Sequence, residues 1–399
     1  MVYLQIKMII RKEYNRYLES IDVKQILAIT GLRRVGKTTT LKFLLSKIDS
    51  DNKKYFDLER MEYRNLFSGE NYGDIIKAIE IEGIDFSRKA FIVLDEIQLV
   101  PNIASILKYI YDTYDVKFIV SGSSSFYMKG AFSESLAGRK RLFELWPLAF
   151  DDFLKFKNEG HNLPEFTFEK THPQLIEKYR AYYEEYVEFG GFPEVVLTNK
   201  NKDKEYILKD IFDSYINLDV QFLVDLSKTN ELYKLIKLLS SRVGNKIEYS
   251  NLAGISGINR HKVKEYLIFL ENTFFIRLVK PFVTNPDREI ALQMKLYFSD
   301  TGFLKILGSF SSGALFENAV ANQLYPKGEL RYYARRSGQE IDFILDGKRA
   351  IEVKETPTEH DLKVLKKRTD YIKLKEYNLV GRSLPESGFR EITWGGAIY

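Results

Sequence analysis

The stretch GLRRVGKTT places Gly31, Gly36, Lys37 and Thr38 at the spacing G-x-x-x-x-G-K-[ST]. Glycines at those two positions let backbone N–H groups curl around phosphate oxygens. The N-terminus of the helix that follows adds partial positive charge. In that geometry Lys37 reaches the β- and γ-phosphates, and the Thr38 hydroxyl binds Mg²⁺. Arg34 and Thr39 complete the candidate nucleotide contacts. The chemistry is binding and hydrolysis of a nucleoside triphosphate, with ATP and Mg²⁺ as the expected ligands.

Further groups belong to the same chemistry. The apolar run FIVLDE ends in Asp95 and Glu96. A strand with two acids at its C-terminal edge delivers them beside the phosphate loop of its sheet. Asp95 is expected in the Mg²⁺ shell, and Glu96 as the base that orients and deprotonates the attacking water. That second role separates a hydrolase from a passive nucleotide binder. Next, KFIVSGSSS sets Ser121 and Ser123 where a strand ends near the γ-phosphate. They are either phosphate sensors or ordinary turn residues. Gly138-Arg139 in SLAGRKRLFELW invites an arginine finger, a cation that neutralises transition-state charge, with Arg141 as the alternative. A basic cluster is also a common solvated surface. A finger acting at a subunit contact brings a homo-oligomer into the expectation.

A second constellation lies in EIDFILDGKRAIEVKE, residues 340–355. Strand side chains alternate faces, so Glu340 and Asp342 share one face, as do Glu352 and Lys354 on the return strand. A two-residue turn at Asp346-Gly347 would send Asp342 and Glu352 to opposite faces. A three-residue loop, Leu345-Asp346-Gly347 with Gly347 left-handed, brings them together and buries Ile341, Phe343, Ile351 and Val353 on the other side. The hydrophobic pattern favours that register. Asp342 and Glu352 would then bind Mg²⁺ or Mn²⁺, and Lys354 would position the water and stabilise developing charge. Glu317, on a helix just upstream, supplies a further acid. The plain alternative is a surface ion pair.

Taken together, GLRRVGKTT, VLDEIQ, SGSSS, LAGR with LWPLAFDDFL, and GGFPE resemble the archaeal and bacterial AAA-type P-loop ATPases. More narrowly, the chain is similar to the branch with a C-terminal DUF4143-like domain, and the likeness runs over essentially all of it. The resemblance implies a P-loop core, a helical lid, a winged-helix domain and a C-terminal domain related to PD-(D/E)XK nucleases. The spacing D-x₉-E-x-K from Asp342 to Lys354 fits that nuclease pattern, although Gln339 stands where a proline is usual. The implied activities are ATP hydrolysis and metal-dependent DNA cleavage. The rival is a nucleotide-switched signalling or transcriptional regulator whose nuclease-like domain is inactive.

These groups need elements to hold them. The runs QILAIT, KYFDL, AFIVLDE and KFIVSG are short and nearly continuous in apolar residues, as strands buried on both faces of a parallel sheet are. KTTTLKFLLSKI and NIASILKYIYDTY carry helical periodicity between them. The alternation predicts an α/β doubly wound core over 1–150. Amphipathic helices and the break GGFPE fill 151–229, the expected lid. Over 230–283, EYSNLAGISGINRHKVKEYLIFLENTFFIRLVKPF reads as helix, turn, helix, strand, a winged helix. Ser250 is the expected cap of its first helix and Gly257 the turn. The second, near Asn259–Glu271, presents Arg260, His261, Lys262 and Lys264 opposite an inward stripe of Val263, Tyr266, Leu267 and Leu270. That layout suits the DNA major groove, or equally a protein partner. Strands return over 284–399, the nuclease-like domain.

Composition is consistent with this. The 399 residues exceed one typical domain, and a hydrophobic content of 45% supplies real cores. A net charge of +5 permits DNA binding without demanding it. The absence of cysteine excludes disulfides, thiolate zinc sites and cysteine nucleophiles, and four scattered histidines argue against a histidine-based metal cluster. No apolar run reaches membrane-spanning length, so a cytoplasmic protein with no membrane partner is expected.

Overall fold

The computed structural model describes residues 9–69, 71–122, 135–159, 173–220, 229–283, 293–308, 310–335, 338–383, 389 and 391–398. The chain forms two compact units: Met1–Trp146 with Asn272–Phe274, and Pro147–Glu271 with Phe275–Tyr399.

In the first unit, β1 (Ile26–Thr30), β2 (Lys53–Asp57), β3 (Ala90–Asp95) and β4 (Val116–Gly122) occupy the four apolar runs. With β5 (Lys140–Glu144) they form a wholly parallel sheet of order β2-β3-β4-β1-β5. Every residue of β1 and β4 is buried, which is why they read as unbroken apolar stretches. β5 is an edge strand and only partly buried. An edge tolerates charge, so KRLFE carries no apolar strand signal in the sequence. The helices Lys37–Lys47 and Ile103–Thr113 follow β1 and precede β4. The latter buries Ile103, Ile106, Leu107 and Ile110, the spacing of one helical face. Strand order reverses beside β1, so the loops leaving the C-terminal ends of β1, β3 and β4 share a crevice.

The second unit begins with helices. Phe150–Phe156, Pro173–Phe189 and Asn201–Ser214 occupy the amphipathic stretches. Within GGFPE, Gly190, Gly191 and Phe192 form a buried joint between them. Asp300 accepts hydrogen bonds from the N–H of Gly191 (2.7 Å) and of Gly302 (2.8 Å). A Cβ on Gly190, whose φ is +77°, would lie 1.8 Å from the Asp300 carboxylate, so only glycine fits.

Helices Thr229–Ser240, Tyr249–Ser256 and Arg260–Asn272 come next. The last buries the expected stripe of Val263, Tyr266, Leu267 and Leu270, and Gly257 turns the chain at φ +72°. Ser250 is not a cap: the preceding helix starts one residue earlier, with Glu248 at its N-cap. At the next helix Asn259 Oδ1 accepts from His261 N at 2.8 Å.

The strand that follows, β6 (Ile276–Pro281), pairs antiparallel with β7 (Lys295–Phe298) and parallel with β8 (Leu330–Ala334). It therefore belongs to a seven-stranded mixed sheet completed by β9 (Glu340–Leu345), β10 (Arg349–Lys354), β11 (Glu376–Gly381) and β12 (Thr393–Trp394). The sheet and the early helices share one aromatic core. Tyr183 packs edge-on against Phe150, Phe316 and Trp394, at centroid distances of 4.9, 6.3 and 5.1 Å. Divisions at 229 and 283 thus fall inside a single packed body.

Candidate functional site

The phosphate loop takes the conformation its sequence demands. Gly31 has φ +149°, and a Cβ there would meet the Leu145 carbonyl oxygen at 2.2 Å. Gly36, φ +101°, is the N-cap of Lys37–Lys47, and a Cβ there would meet no described atom within 4 Å, so this backbone is open to close approach. Arg34 is exposed in the left-handed region, and Thr39 is exposed on the first turn of the helix. Lys37 is buried, and its ammonium donates to the carbonyls of Gly31 (3.1 Å) and Leu32 (2.9 Å).

Asp95 is the hub. Its Oδ2 accepts from Thr38 Oγ1 and from Tyr55 Oη, both at 2.7 Å, and its Oδ1 accepts from Ser121 Oγ. Three donors from three different elements hold one carboxylate in place. Ser121 is therefore committed to Asp95 rather than aimed at a phosphate. Ser123 lies outside the described residues. Glu96 is half-buried with left-handed backbone (φ +56°), and its carboxylate accepts from Gln98 Nε2.

Tyr55 was not legible as a site residue. It reads as one aromatic in a buried strand, and it reaches Asp95 only because β2 pairs with β3. Burial, followed by its bond to Asp95, pushes its phenol far above the ordinary range. Tyr55→Phe removes a hydrogen bond to a charged acceptor, expected to contribute roughly 1.5–3 kcal/mol. Urea unfolding of the variant should read a loss of that order. An unchanged midpoint would remove Tyr55 from the shell of Asp95.

The structure does not bring Arg139 to this site. Arg139 immediately precedes β5, and its carbonyl accepts from Ile26 N at the start of β1 (2.8 Å). The phosphate loop leaves the other end of β1, roughly 15 Å away for a strand of this length. The guanidinium is also held by Asp112 through two bonds of 2.9 Å. Arg141 is turned to Gln25 at the same far edge (2.6 Å). Sequence neighbours are thus separated from the site by the length of an unforeseen strand.

In the second unit the hairpin brings Asp342 and Glu352 together, though by a different turn. Leu345 pairs with Arg349, so the loop is Asp346-Gly347-Lys348, with Asp346 and Gly347 both left-handed. Continuing that register sets Asp342 opposite Glu352. β9 also carries a bulge: Ile344 pairs with Arg331 and Ile341 with Tyr333, leaving Asp342 and Phe343 together opposite Tyr332. The bulge breaks strict alternation. Ile341 joins Ala350, Leu362 and Leu365 in one core, whereas Phe343 packs on Tyr297. The expectation that Ile341 and Phe343 share a face is corrected accordingly.

Around the hairpin, Glu352 Oε1 accepts from Lys354 Nζ at 2.8 Å with Arg368 at 3.6 Å, and Asp342 Oδ2 accepts from Val353 N at 2.9 Å. Glu317, from the helix Ser312–Leu324, accepts from Tyr297 Oη at 2.6 Å. A residue the sequence reading did not single out, Lys295, sets its ammonium 2.5 Å from Glu340 and 3.6 Å from both Glu317 and Asp342. A lone lysine opening a short strand gives no signal for this. Burial first, then repulsion from Asp342, pushes Glu317 and Glu352 each up to about 7. Burial opposes the charge on Lys295, but Glu317, Asp342 and Glu340 outweigh it and raise its pKa. Among the described residues no three acidic or imidazole groups close on one point as a ready metal cage. One observation does fit a cation: Glu352 Oε2 is buried with no hydrogen-bond partner.

Comparison with known proteins matches three successive stretches of the chain. Residues 23–154 match the model of an AAA domain, 180–313 a domain of unknown function (DUF8612), and 312–391 a domain of unknown function (DUF4143). An uncharacterized protein of Methanocaldococcus jannaschii is 28% identical over 96% of this chain and 87% of its own length. One from Haemophilus influenzae is 27% identical over 84% of each. Among solved structures, the Walker-type ATPase of Pyrococcus abyssi covers 75% of this chain and 95% of its own, at 16% identity and TM-score 0.46. The chain carries an AAA domain on a parallel α/β core, joined to a second, mixed-sheet unit.

Proposed function

We propose that the first unit is a Mg²⁺-dependent ATP hydrolase and that its turnover serves work on DNA by the second unit. The observation that carries the hydrolase reading is Asp95, fixed by Thr38, Ser121 and Tyr55, with Glu96 next in the chain. Thr38 and Asp95 would hold Mg²⁺, which supplies charge neutralisation at the phosphate oxygens. Lys37 and the loop N–H groups bind the β- and γ-phosphates. Glu96 orients the attacking water and takes its proton, and Gln98 holds that carboxylate until it does so. A finger from Arg139 serves only a neighbouring copy, because in its own chain it stands at the wrong end of the sheet.

In the second unit the helix Arg260–Asn272 offers Arg260 and Lys264 exposed, while Lys262 is paired with Glu265 at 2.9 Å. Arg260 and Lys264 are the DNA contacts of this reading. The hairpin carboxylates of Asp342 and Glu352 would hold the cation of a metal-dependent cleavage, and Lys354 would position the water and stabilise developing charge. A second reading, a nucleotide-switched regulator without cleavage, is favoured by one observation: Lys295 already neutralises much of the acidic cluster.

Incubation with duplex, branched and single-stranded DNA, with Mg²⁺ or Mn²⁺ and with or without ATP, separates the two. Arg260→Glu with Lys264→Glu should weaken DNA binding and lower the log–log salt slope by about 2, one for each lost phosphate contact. Unchanged affinity and slope would move this helix pair to protein docking.

A further inference from the structure

Lys295 is 2% exposed, and the anions around its ammonium are the carboxylates of Glu317, Glu340 and Asp342. A second cation, Lys246, takes the other oxygen of Glu340 at 2.9 Å. The space beside Glu317 is closed. Gly244 has φ +74°, and a Cβ there would lie 3.1 Å from Glu317 Oε1. Tyr297 occupies that same oxygen at 2.6 Å. On this side, then, a buried positive charge is built in and cannot leave without unpacking β7.

The other side differs. Lys354, the partner of Glu352, has a side chain 38% exposed and is free to swing toward solvent or a phosphate. The Glu352 side chain is 9% exposed, and its Oε2 has no hydrogen-bond partner. A buried carboxylate oxygen without a donor is costly, and a hard cation is the natural group to satisfy it.

We propose that Lys295 stands in for a divalent cation among Glu317, Glu340 and Asp342, so that the centre takes one metal ion only, between Asp342 and Glu352. This rests on the metal-binding reading of the hairpin, and it removes Glu317 from the ligands. Lys295 is a positioning residue: its ammonium, 3.6 Å from Asp342 Oδ1, orients that carboxylate while the exchangeable ion binds on the far side.

The test counts Mn²⁺ per chain, by the electron paramagnetic resonance of the free ion, in nucleotide-free protein. Lys295→Ala leaves room for a hydrated ion and should bind one Mn²⁺ more than the wild type. Its melting temperature should rise with Mn²⁺ by more than that of the wild type. The double variant Lys295→Ala, Glu340→Gln removes one charge of each sign and keeps the measurement possible if the single variant folds poorly. It too should gain an ion. Equal counts in wild type and both variants overturn the proposal, as does a wild type that binds two ions lost together in Glu352→Gln. The metal-binding reading is tested separately by the wild-type count. A wild type that binds no ion at this centre, with a gain in the variants, would sink that reading while leaving the role of Lys295 intact.

Discussion

Glu96→Gln should leave ATP bound and stop its turnover, whereas Lys37→Ala should lose tight binding itself. The roles differ because Lys37 touches phosphates in the ground state, while Glu96 acts on the attacking water. A general base contributes roughly 10²–10⁴ in rate, so hydrolysis in Glu96→Gln should fall by about that factor with affinity nearly unchanged. Glutamine also keeps the geometry, since Glu96 accepts from Gln98 and an amide oxygen can do the same. In Lys37→Ala a charge-assisted contact is lost, and affinity should drop by roughly ten- to a hundredfold. Equilibrium binding of ATP and single-turnover hydrolysis, measured side by side, distinguish these outcomes. Equal loss of binding in both variants would remove Glu96 from the role of base and leave Asp95 as the acid that defines the nucleotide site.

In the hairpin, Asp342→Ala, Glu352→Ala and Lys354→Ala should each lower DNA cleavage by about 10² or more, the scale for groups acting on a transition state. ATP hydrolysis should hardly change, because Lys37 and Asp95 belong to the other compact unit. Glu352→Gln separates chemistry from damage to the fold. In the folded protein the Glu352 carboxyl is raised from 4.5 to about 7 by burial and then by Asp342. An acid whose folded pKa lies above its unfolded one costs the native state stability as pH rises from about 4.5 through 7. Glutamine carries no such cost, so the variant should unfold at higher urea than wild type at pH 8 and show no gain at pH 4. A variant that is more stable and yet inactive in cleavage has lost chemistry, not structure. Full cleavage by Glu352→Gln would remove Glu352 from the cleavage chemistry, whereas no cleavage by the wild type itself would favour the regulator without a nuclease centre.

How much of this was written in the sequence follows from the range of the forces involved. The phosphate loop was legible because its function is local. Two glycines, a lysine and a threonine within eight residues fold back on one another whatever surrounds them. Buried parallel strands announce themselves as apolar runs, so β1, β3 and β4 and the acids ending β3 could be read directly. The inward stripe of Arg260–Asn272 was equally plain, because helical periodicity is a property of neighbouring residues.

What sequence could not show depends on which strands lie side by side. Tyr55 reaches Asp95 only through the pairing of β2 with β3, and Lys295 reaches Glu317, Glu340 and Asp342 only through packing in the second sheet. Arg139 lay close to the site in sequence and far from it in space, because a charged edge strand carries no apolar signal. At the hairpin, alternation correctly set Asp342 and Glu352 together but missed the bulge opposite Tyr332. A bulge is imposed by the neighbouring strand, and no pattern within β9 itself records it. Sequence thus determined which groups can do chemistry. Tertiary structure decided which charges neutralise them, because electrostatic partners are chosen by proximity in space rather than along the chain.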